Sequence, residues 1–583
     1  MDWHQIATAK RASLLQVIPA EWRLLSDQIP PPSSLRDVTA FIRQHLSPLE
    51  LDITNAPAHV LLARLGSREY SAVEVTRAFC HRASLAHQLT NCLSETLFPA
   101  ALAHAASLDA HLAATSTPVG PLHGLPVSLK DRFNVSGTDS ACGYIAWLNA
   151  PKRPADEGAL VRALRRAGAV LFVKTAVPTS MLMGETTSNI GGATRNPRNR
   201  LLSAGGASGG EGALLACRGS PAGWGSDIAG SVRIPAAFNG LCGLRPSYGR
   251  VPGDGLATSL PGLPVAQSVV GPMGVEVEGV VGAMRWVLGE EGGGLWREAC
   301  EVVDLPWREG VWRSARARVC REGQVDGTLV FAVMGCDGEV RPHPPVRRAV
   351  GVVVRALRAR GYEEANVFVD IRRNNKIQVI DWDPPPHAPA TNLLFQIFGS
   401  TAGQTVRAAI DASGEPPIPQ LREWYYQESE QQQQPASSTE FWQLCQMRDE
   451  YRAKYHRYWA DSRMRTRSGR CVDGVILPVA PSAAVEEGRF EYYAYSAIAS
   501  VLDYTAGTFP VTVADSEIDV EDGEEYQPLS ETDRRNWQSY RKDLFHGTPV
   551  GLQVMGQRLQ EEKVLAMMEA IVQAVKESDG HGY

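Results

Sequence analysis

The sequence lacks paired cysteines, an excess of basic residues and a long apolar run, and each absence excludes a class of protein. None of its ten cysteines lies in a C-x-x-C pair, and none has a second ligand-type residue at zinc spacing. We therefore expect reduced thiols and no metal site. The 58 lysines and arginines against 64 aspartates and glutamates give a net charge of −6, whereas nucleic-acid binders usually carry a basic excess. No window reaches the roughly 18 uninterrupted apolar residues of a membrane helix.

The N-terminus also lacks the basic-then-apolar order of a signal peptide, which favours a cytoplasmic protein. The 583 residues suffice for one large domain or about three to four average ones. With 44% hydrophobic and 21% charged residues, the composition is that of an ordinary globular protein. We therefore expect no nucleic-acid partner and no stable membrane insertion.

Apolar spacing predicts helices over residues 1–90, the last of which opens with a capping box formed by Ser71 and Glu74. Residues 127–173 then follow the order strand, helix and buried strand, and a further strand with a helix behind it begins at residue 549. This order predicts an α/β fold with a largely parallel sheet covered by helices on both faces.

We predict one domain over residues 1–583. Its parts are a helical N-terminal region (1–90), the core motifs (120–250), a variable cap (270–460) with a glutamine-rich loop (427–438), and a C-terminal part of the core (470–583).

Small residues are concentrated in two blocks. Residues 203–216 contain five glycines, which allow tight turns and close approach to a ligand, and then begin a helix. The block matches neither the phosphate-binding G-K-[ST] ending nor the G-x-G-x-x-G spacing, and a purely structural turn remains an alternative. In the second block, four successive N–H groups can converge on a developing oxyanion: those of Ile228, Ala229, Gly230 and Ser231.

Ser231 ends the second block, so its hydroxyl could attack a carbonyl held there. No histidine lies within these blocks to serve as its base, which makes Lys130 on the predicted strand the better candidate. Burial can lower a lysine pKa of about 10.4 by roughly 3–5 units, and a neutral lysine makes a Ser–Lys pair workable.

Together these stretches resemble the amidase signature family, in its fungal acetamidase-like branch. The resemblance is carried, in the family's order and spacing, by residues 120–131, 203–216 and 225–238, and further by 173–178, 244–250, 269–273, 477–481 and 546–556. It implies one large mixed β-sheet covered by helices, no cofactor, and hydrolysis of a small or aliphatic carboxamide such as acetamide to a carboxylate and ammonia or an amine.

The resemblance also implies roles for single residues. Ser231 matches the nucleophile that forms the acyl-enzyme, Lys130 matches the base, and Met181 matches a position whose backbone contacts substrate. The family's bridging serine lies 24 residues before the nucleophile, where this chain has Ala207, and Ser208 is the second residue of that pair. Three explanations stay open: weakened catalysis, a proton relay through Ser208 or water, and a pseudoenzyme that only binds amides.

Other candidates have simpler explanations. Asp227 and Arg233 flank the turn of small residues, and we expect them to pair and hold it. His104 and His111, seven apart on a helix, fit a surface face better than a metal site. The expected partner is a small-molecule amide. A homodimer, and a role as the amidase subunit of an amidotransferase, are left open.

Overall fold

The structure is a computed structural model that describes residues 2–292, 294–318, 329–360, 363–365, 382–426, 434–466, 468–523 and 525–579. The strands in this part of the chain are β1 Leu93–Thr96, β2 Pro126–Lys130, β3 Val170–Thr175, β4 Thr187–Ser188, β5 Gly192–Ala193, β6 Arg195–Asn196, β7 Asn199–Ser203, β8 Gly223–Asp227, β9 Cys242–Arg245, β10 Val269–Gly274, β11 Val330–Val333, β12 Glu363–Ala365, β13 Gly474–Pro478, β14 Ala506–Val513 and β15 Pro549–Met555.

The α-helices are α1 Trp3–Val17, α2 Thr39–Gln44, α3 Pro48–Asn55, α4 Ala58–Gly66, α5 Ala72–Thr90, α6 Phe98–Thr115, α7 Ala159–Arg166, α8 Gly209–Ala216, α9 Arg233–Asn239, α10 Val277–Leu288, α11 Glu309–Ala317, α12 Pro344–Ala359, α13 His387–Gly399, α14 Gln404–Ser413, α15 Pro419–Tyr425, α16 Ser438–Asp461, α17 Ala494–Leu502, α18 Glu531–Ser539, α19 Lys542–Phe545 and α20 Glu561–Asp579.

Eleven strands form one sheet in the order β1-β3-β2-β8-β10-β9-β14-β15-β13-β11-β12. The pairs β2/β3, β2/β8, β11/β13 and β11/β12 are parallel. The central pairs from β8 to β13 and the edge pair β1/β3 are antiparallel. The mixed sheet is therefore confirmed, whereas the expectation of a largely parallel sheet is wrong. That expectation came from β2 and β3, and their parallel pairing does not extend through the middle of the sheet.

Both faces of the sheet are buried, as predicted. Alternate residues of a strand face opposite sides, and in β13 Ile476 belongs to one apolar cluster while Val475 and Leu477 belong to another. The first cluster includes Leu565 of α20, and the second includes Ile498 of α17. Helices therefore cover the two faces separately.

Several local predictions are confirmed. Ser71 caps α5, and its side chain and that of Glu74 form the capping box. The helix expected before β3 is α7, whose C-cap is Ala167, with Gly168 following at φ +82°. Strand β15 covers residues 549–555 as predicted.

The segment predicted as a cap contributes to the sheet as well as to its covering. Residues 270–460 supply β11 and β12 to the sheet, and α13 packs on α17. Within the glutamine-rich loop, residues 427–433 lie outside the described residues, and α16 begins at residue 438, next to its cap Ser437. The predicted domain boundaries remain predictions.

Candidate active site

The site lies where two parallel strands end. Strand β2 pairs with β8, with Leu129 opposite Trp224, so Lys130 and Asp227 end their strands at one edge of the sheet. Strand β10 begins opposite Asp227 and brings Ser268 to the same edge. A narrow cavity of about 20 Å³ opens there, room for about one water molecule.

Four of the predicted site residues line this cavity: Lys130, Met181, Ile228 and Ser231. The other four, Ala207, Ser208, Ala229 and Gly230, are not part of the lining formed by the described residues. The fold thus brings the predicted base and the predicted nucleophile together. Ser231 is buried but keeps 8% of its surface accessible.

Lys130 is almost fully buried, with 1% of its surface exposed. Its Nζ donates to Ser226 Oγ at 3.0 Å and lies 3.4 Å from the Ser226 carbonyl oxygen. Burial, and after it the nearby Arg132 guanidinium, holds the pKa of Lys130 well below its ordinary value. Such a lysine is suited to be neutral and to accept a proton.

Two further residues that line the cavity, Ser226 and Arg132, were not predicted as site residues from the sequence. Arg132 Nη1 donates to Ser226 Oγ at 3.2 Å and to Ser268 Oγ at 2.8 Å, and its Nε donates to the Ala257 carbonyl at 3.0 Å. Strand periodicity could not have found Arg132, because β2 ends at Lys130 and residues 131 and 132 lie in a turn.

Among the described contacts Ser208 forms no hydrogen bond with Lys130, although both groups donate to the Ser226 carbonyl oxygen. Its Oγ donates to the Ser226 carbonyl at 3.3 Å and accepts from the Ser226 N–H at 3.4 Å, so the backbone of β8 holds it. Ala207 is fully buried in an apolar cluster with Met181 and Cys142. Neither residue therefore presents a hydroxyl to the predicted base.

The turn of small residues is held by Asp227, whose carboxylate accepts from the N–H of Gly230 at 2.8 Å and of Val232 at 3.2 Å. Asp227 also pairs with Arg233 at 3.0 Å, which confirms the predicted pairing. Burial acts to raise the pKa of Asp227, but the charge and hydrogen bonds of Arg233, the Arg245 charge and the Val232 N–H together outweigh it and keep the pKa low. Because Asp227 engages the Gly230 N–H, the predicted oxyanion donors reduce to residues 228, 229 and 231.

Gly230 is required by this turn. Its φ is +127°, a backbone conformation that side chains disfavour, and an added Cβ would lie 2.6 Å from the side chain of Ser496. Opposite the turn, Ser180 and Met181 both have positive φ, at +72° and +60°. The Ser180 carbonyl accepts from Ser259 Oγ at 2.7 Å, which holds this strained pair against the cavity.

Comparison with known proteins agrees with this geometry. Residues 74–565 match the family model described as Amidase. The chain belongs to the amidase family. It is 40% identical over 570 residues to an acetamidase of Aspergillus oryzae and 38% identical over 572 residues to an acetamidase of Emericella nidulans, covering 98% of each chain in both cases. A fatty acid amide hydrolase structure superposes with a TM-score of 0.86 at 29% identity, covering 98% of this chain and 95% of that one. This amidase is a hydrolase that acts on amide C–N bonds.

Behind the site of the amidase lies a buried carboxyl group, Glu211 on α8. It accepts hydrogen bonds from Ser128 of β2 and, at 2.8 Å, from Thr175 of β3. Burial raises the pKa of Glu211 to about 7, although these hydrogen bonds and the Lys130 charge oppose the shift. The group links a helix to two strands and is close enough to Lys130 to influence its charge.

The described parts of the amidase contain no group of three or more His, Cys, Asp or Glu side chains that could hold a metal ion. His104 and His111 both lie on α6. None of the described helices is long and apolar enough to span a bilayer.

Proposed function

We propose that this amidase hydrolyses small aliphatic carboxamides, with acetamide as the simplest member, through an acyl-enzyme on Ser231 with Lys130 as the general base. The observation that carries this proposal is a buried lysine of lowered pKa that lines the same small cavity as Ser231. The similarity to two acetamidases over nearly the whole chain supports the substrate class.

The proposed reaction has two halves. Neutral Lys130 takes the proton of Ser231, whose oxygen attacks the amide carbon, and the N–H groups of residues 228, 229 and 231 donate to the oxyanion. The proton then passes to the leaving nitrogen, and ammonia or an amine departs. Water repeats the sequence on the acyl-enzyme, releases the carboxylate and returns Ser231 to its starting state.

The cavity wall favours a short acyl group. The side chains of Met181, Leu182, Ile228 and Leu260 make much of this wall apolar. A short alkyl chain fits such a wall, whereas a positively charged group would lose its hydration and meet the Arg132 guanidinium. A non-catalytic amide-binding protein is the second candidate, and Ala207 is the observation that favours it.

An ammonia-release assay on a panel of amides of increasing acyl length tests the proposal. We expect acetamide and its short homologues to be turned over and long-chain amides to be poor substrates. A Ser231→Ala variant with an unchanged circular dichroism spectrum should release no ammonia above background. Turnover that survives in this variant contradicts the assignment of Ser231 as the nucleophile. If the wild type binds amides without any turnover, the second candidate, a non-catalytic amide-binding protein, is supported instead.

A further inference from the structure

We propose that in this chain the hydroxyl of Ser226 carries the proton between Ser231 and Lys130, in place of the bridging hydroxyl that position 207 lacks. This inference rests on the proposed function, because it takes Ser231 as the nucleophile and Lys130 as the base. It assigns a chemical role to a residue that lies within the matching motif at 225–238 but for which the resemblance implied no role.

Neither the residue at the family's bridging position, Ala207, nor its neighbour Ser208 supplies this hydroxyl. Ala207 has none, and its methyl group packs in an apolar cluster. The Ser208 hydroxyl is occupied by both the N–H and the carbonyl of Ser226, at 3.4 and 3.3 Å. Its proton is therefore directed at that carbonyl rather than at Lys130.

Ser226 is already in contact with the base. Its Oγ lies 3.0 Å from Lys130 Nζ, a normal hydrogen-bond distance, and both Ser226 and Ser231 line the cavity. Ser226 is the last residue but one of β8, and the chain turns directly after it towards Ser231. The strand therefore places the hydroxyl beside Lys130, in the cavity that Ser231 also lines.

The hydrogen-bonding capacity of a hydroxyl fits the role. A serine hydroxyl has one proton to donate and two lone pairs that accept. When Lys130 is neutral, the Ser226 proton can point at the nitrogen lone pair. Arg132 Nη1, at 3.2 Å, takes one lone pair of the oxygen. The second lone pair is then left to accept the proton of Ser231.

Proton transfer through this arrangement is balanced. The Ser231 proton moves to Ser226 Oγ while the original Ser226 proton moves to Lys130 Nζ, and the Ser231 oxygen forms its bond to the amide carbon. Lys130 becomes an ammonium group, Ser226 ends as a neutral hydroxyl, and the negative charge lies on the carbonyl oxygen. The reverse transfer delivers one proton to the leaving nitrogen.

Arg132 favours the transfer through its charge. No carboxylate among the described residues pairs with its guanidinium, whose hydrogen bonds go to the oxygens of Ser226, Ser268 and Ala257. The positive charge therefore lies next to the Ser226 oxygen, and it stabilises negative charge that develops there during the transfer.

A double-mutant cycle between positions 226 and 207 tests the relay. In the natural chain, Ser226→Ala should lower kcat by roughly 10²–10⁴-fold, the usual contribution of a general-base step, with a smaller change in KM. In an Ala207→Ser background the same substitution should cost less than about tenfold, because a second hydroxyl then completes the path.

Two further variants separate a relay from a structural role. Ser226→Thr keeps the hydroxyl, and we expect it to keep kcat within about tenfold of the wild type. Ser268→Ala is the matched control, because it removes the other hydroxyl bound to Arg132 Nη1 without removing a contact of Lys130. We expect it to lower kcat far less than Ser226→Ala. Melting curves report whether each variant is folded.

Equal losses from Ser226→Ala in both backgrounds would overturn the relay and leave Ser226 as a residue that only positions Lys130. An active wild type whose kcat falls in Ser208→Ala but not in Ser226→Ala would assign the relay to Ser208 instead. If Ser226→Ala does not fold, a tenfold or greater loss in folded Ser226→Thr overturns the proposal. A wild type without turnover, even with Ala207→Ser, would overturn the proposed function and the relay with it.

Discussion

At the scale of single residues, the site combines a lysine with surroundings that disfavour its charge. Lys130 is removed from water, and Arg132 shares a hydroxyl acceptor with it. The other titratable groups that act on it are Asp227, Cys142 and Glu211, which favour the charged form less strongly than burial opposes it. A base of this kind can function at a pH where a surface lysine is fully protonated.

We expect the pH profile of kcat/KM to follow Lys130. In the proposed mechanism the base is the neutral lysine, so kcat/KM should rise with pH through its native pKa, which lies below the ordinary value of 10.5. Arg132→Gln removes a positive charge that disfavours lysine protonation, and the rising limb should therefore move to higher pH. Lys130→Ala should lower kcat/KM by roughly 10²–10⁴-fold.

As a control, the same pH profile is measured at two salt concentrations. The rising limb should hardly move, because the interaction of two buried charges is screened only weakly by salt. A rising limb that stays in place in Arg132→Gln would contradict the influence of Arg132 on the base. A Lys130→Ala variant that keeps most of its rate would contradict the role of the lysine itself.

At the scale of helices and strands, α8 is fastened to the sheet beneath the site. Glu211 on this helix accepts from Ser128 and Thr175, which lie on the neighbouring strands β2 and β3. The helix begins directly after the pair at 207 and 208, so these contacts also fix where that pair lies. A change in the charge of Glu211 therefore affects the hydrogen bond that joins α8 to β2, the strand that carries Lys130.

Glu211 should make stability depend on pH. Its pKa is raised to about 7 from the ordinary 4.5, so the folded state binds the extra proton between these values. Its contribution to stability is full below pH 4.5 and is lost as pH rises through 7. As the pH rises, the free energy of unfolding of the wild type should therefore fall relative to that of Glu211→Gln, by at most ~1.4 kcal/mol per pH unit.

Urea unfolding of both proteins at pH 5 and pH 8 measures this difference. Thr175→Val is a suitable companion variant, because it removes one hydrogen bond to Glu211 and leaves the carboxyl group in place. A stability difference between the wild type and Glu211→Gln that is the same at both pH values would contradict the raised pKa.

The elements with strong local signals could be predicted from the sequence, and their sheet partners could not. The capping box at Ser71 and the apolar alternation of β15 depend on neighbouring residues, which is why both are found at the predicted places. The antiparallel centre of the sheet depends on contacts between distant strands. The contact of Ser226 with Lys130 crosses from β8 to β2, and no spacing within either strand reveals it.

At the scale of the whole molecule, one sheet and one large core unite the two ends of the chain. A single apolar cluster contains residues from Ile18 to Val575. Strand β15, near the end of the sequence, lies between β14 and β13. Arg250, which follows β9, forms a buried ion pair with Glu561 of α20 at 2.9 Å. The N-terminal, central and C-terminal parts of the chain therefore pack against one another in a common core.

We expect the protein to unfold as one domain. Because the core is shared, loss of any strand from the centre of the sheet exposes apolar surface on the rest. Calorimetry and circular dichroism should give one transition with coincident midpoints. Two separated transitions, or a stable fragment of residues 270–460 after limited proteolysis, would contradict the single domain.

The central claim is that Ser231 forms the covalent intermediate, and labelling with a fluorophosphonate followed by peptide mass spectrometry tests it most directly. The reagent reacts with a serine that is activated as a nucleophile and leaves a stable adduct. The account predicts one adduct on the peptide that contains Ser231, slower labelling in Lys130→Ala, and none in Ser231→Ala. An adduct on a different serine, or undiminished labelling of the Ser231→Ala protein, would contradict it.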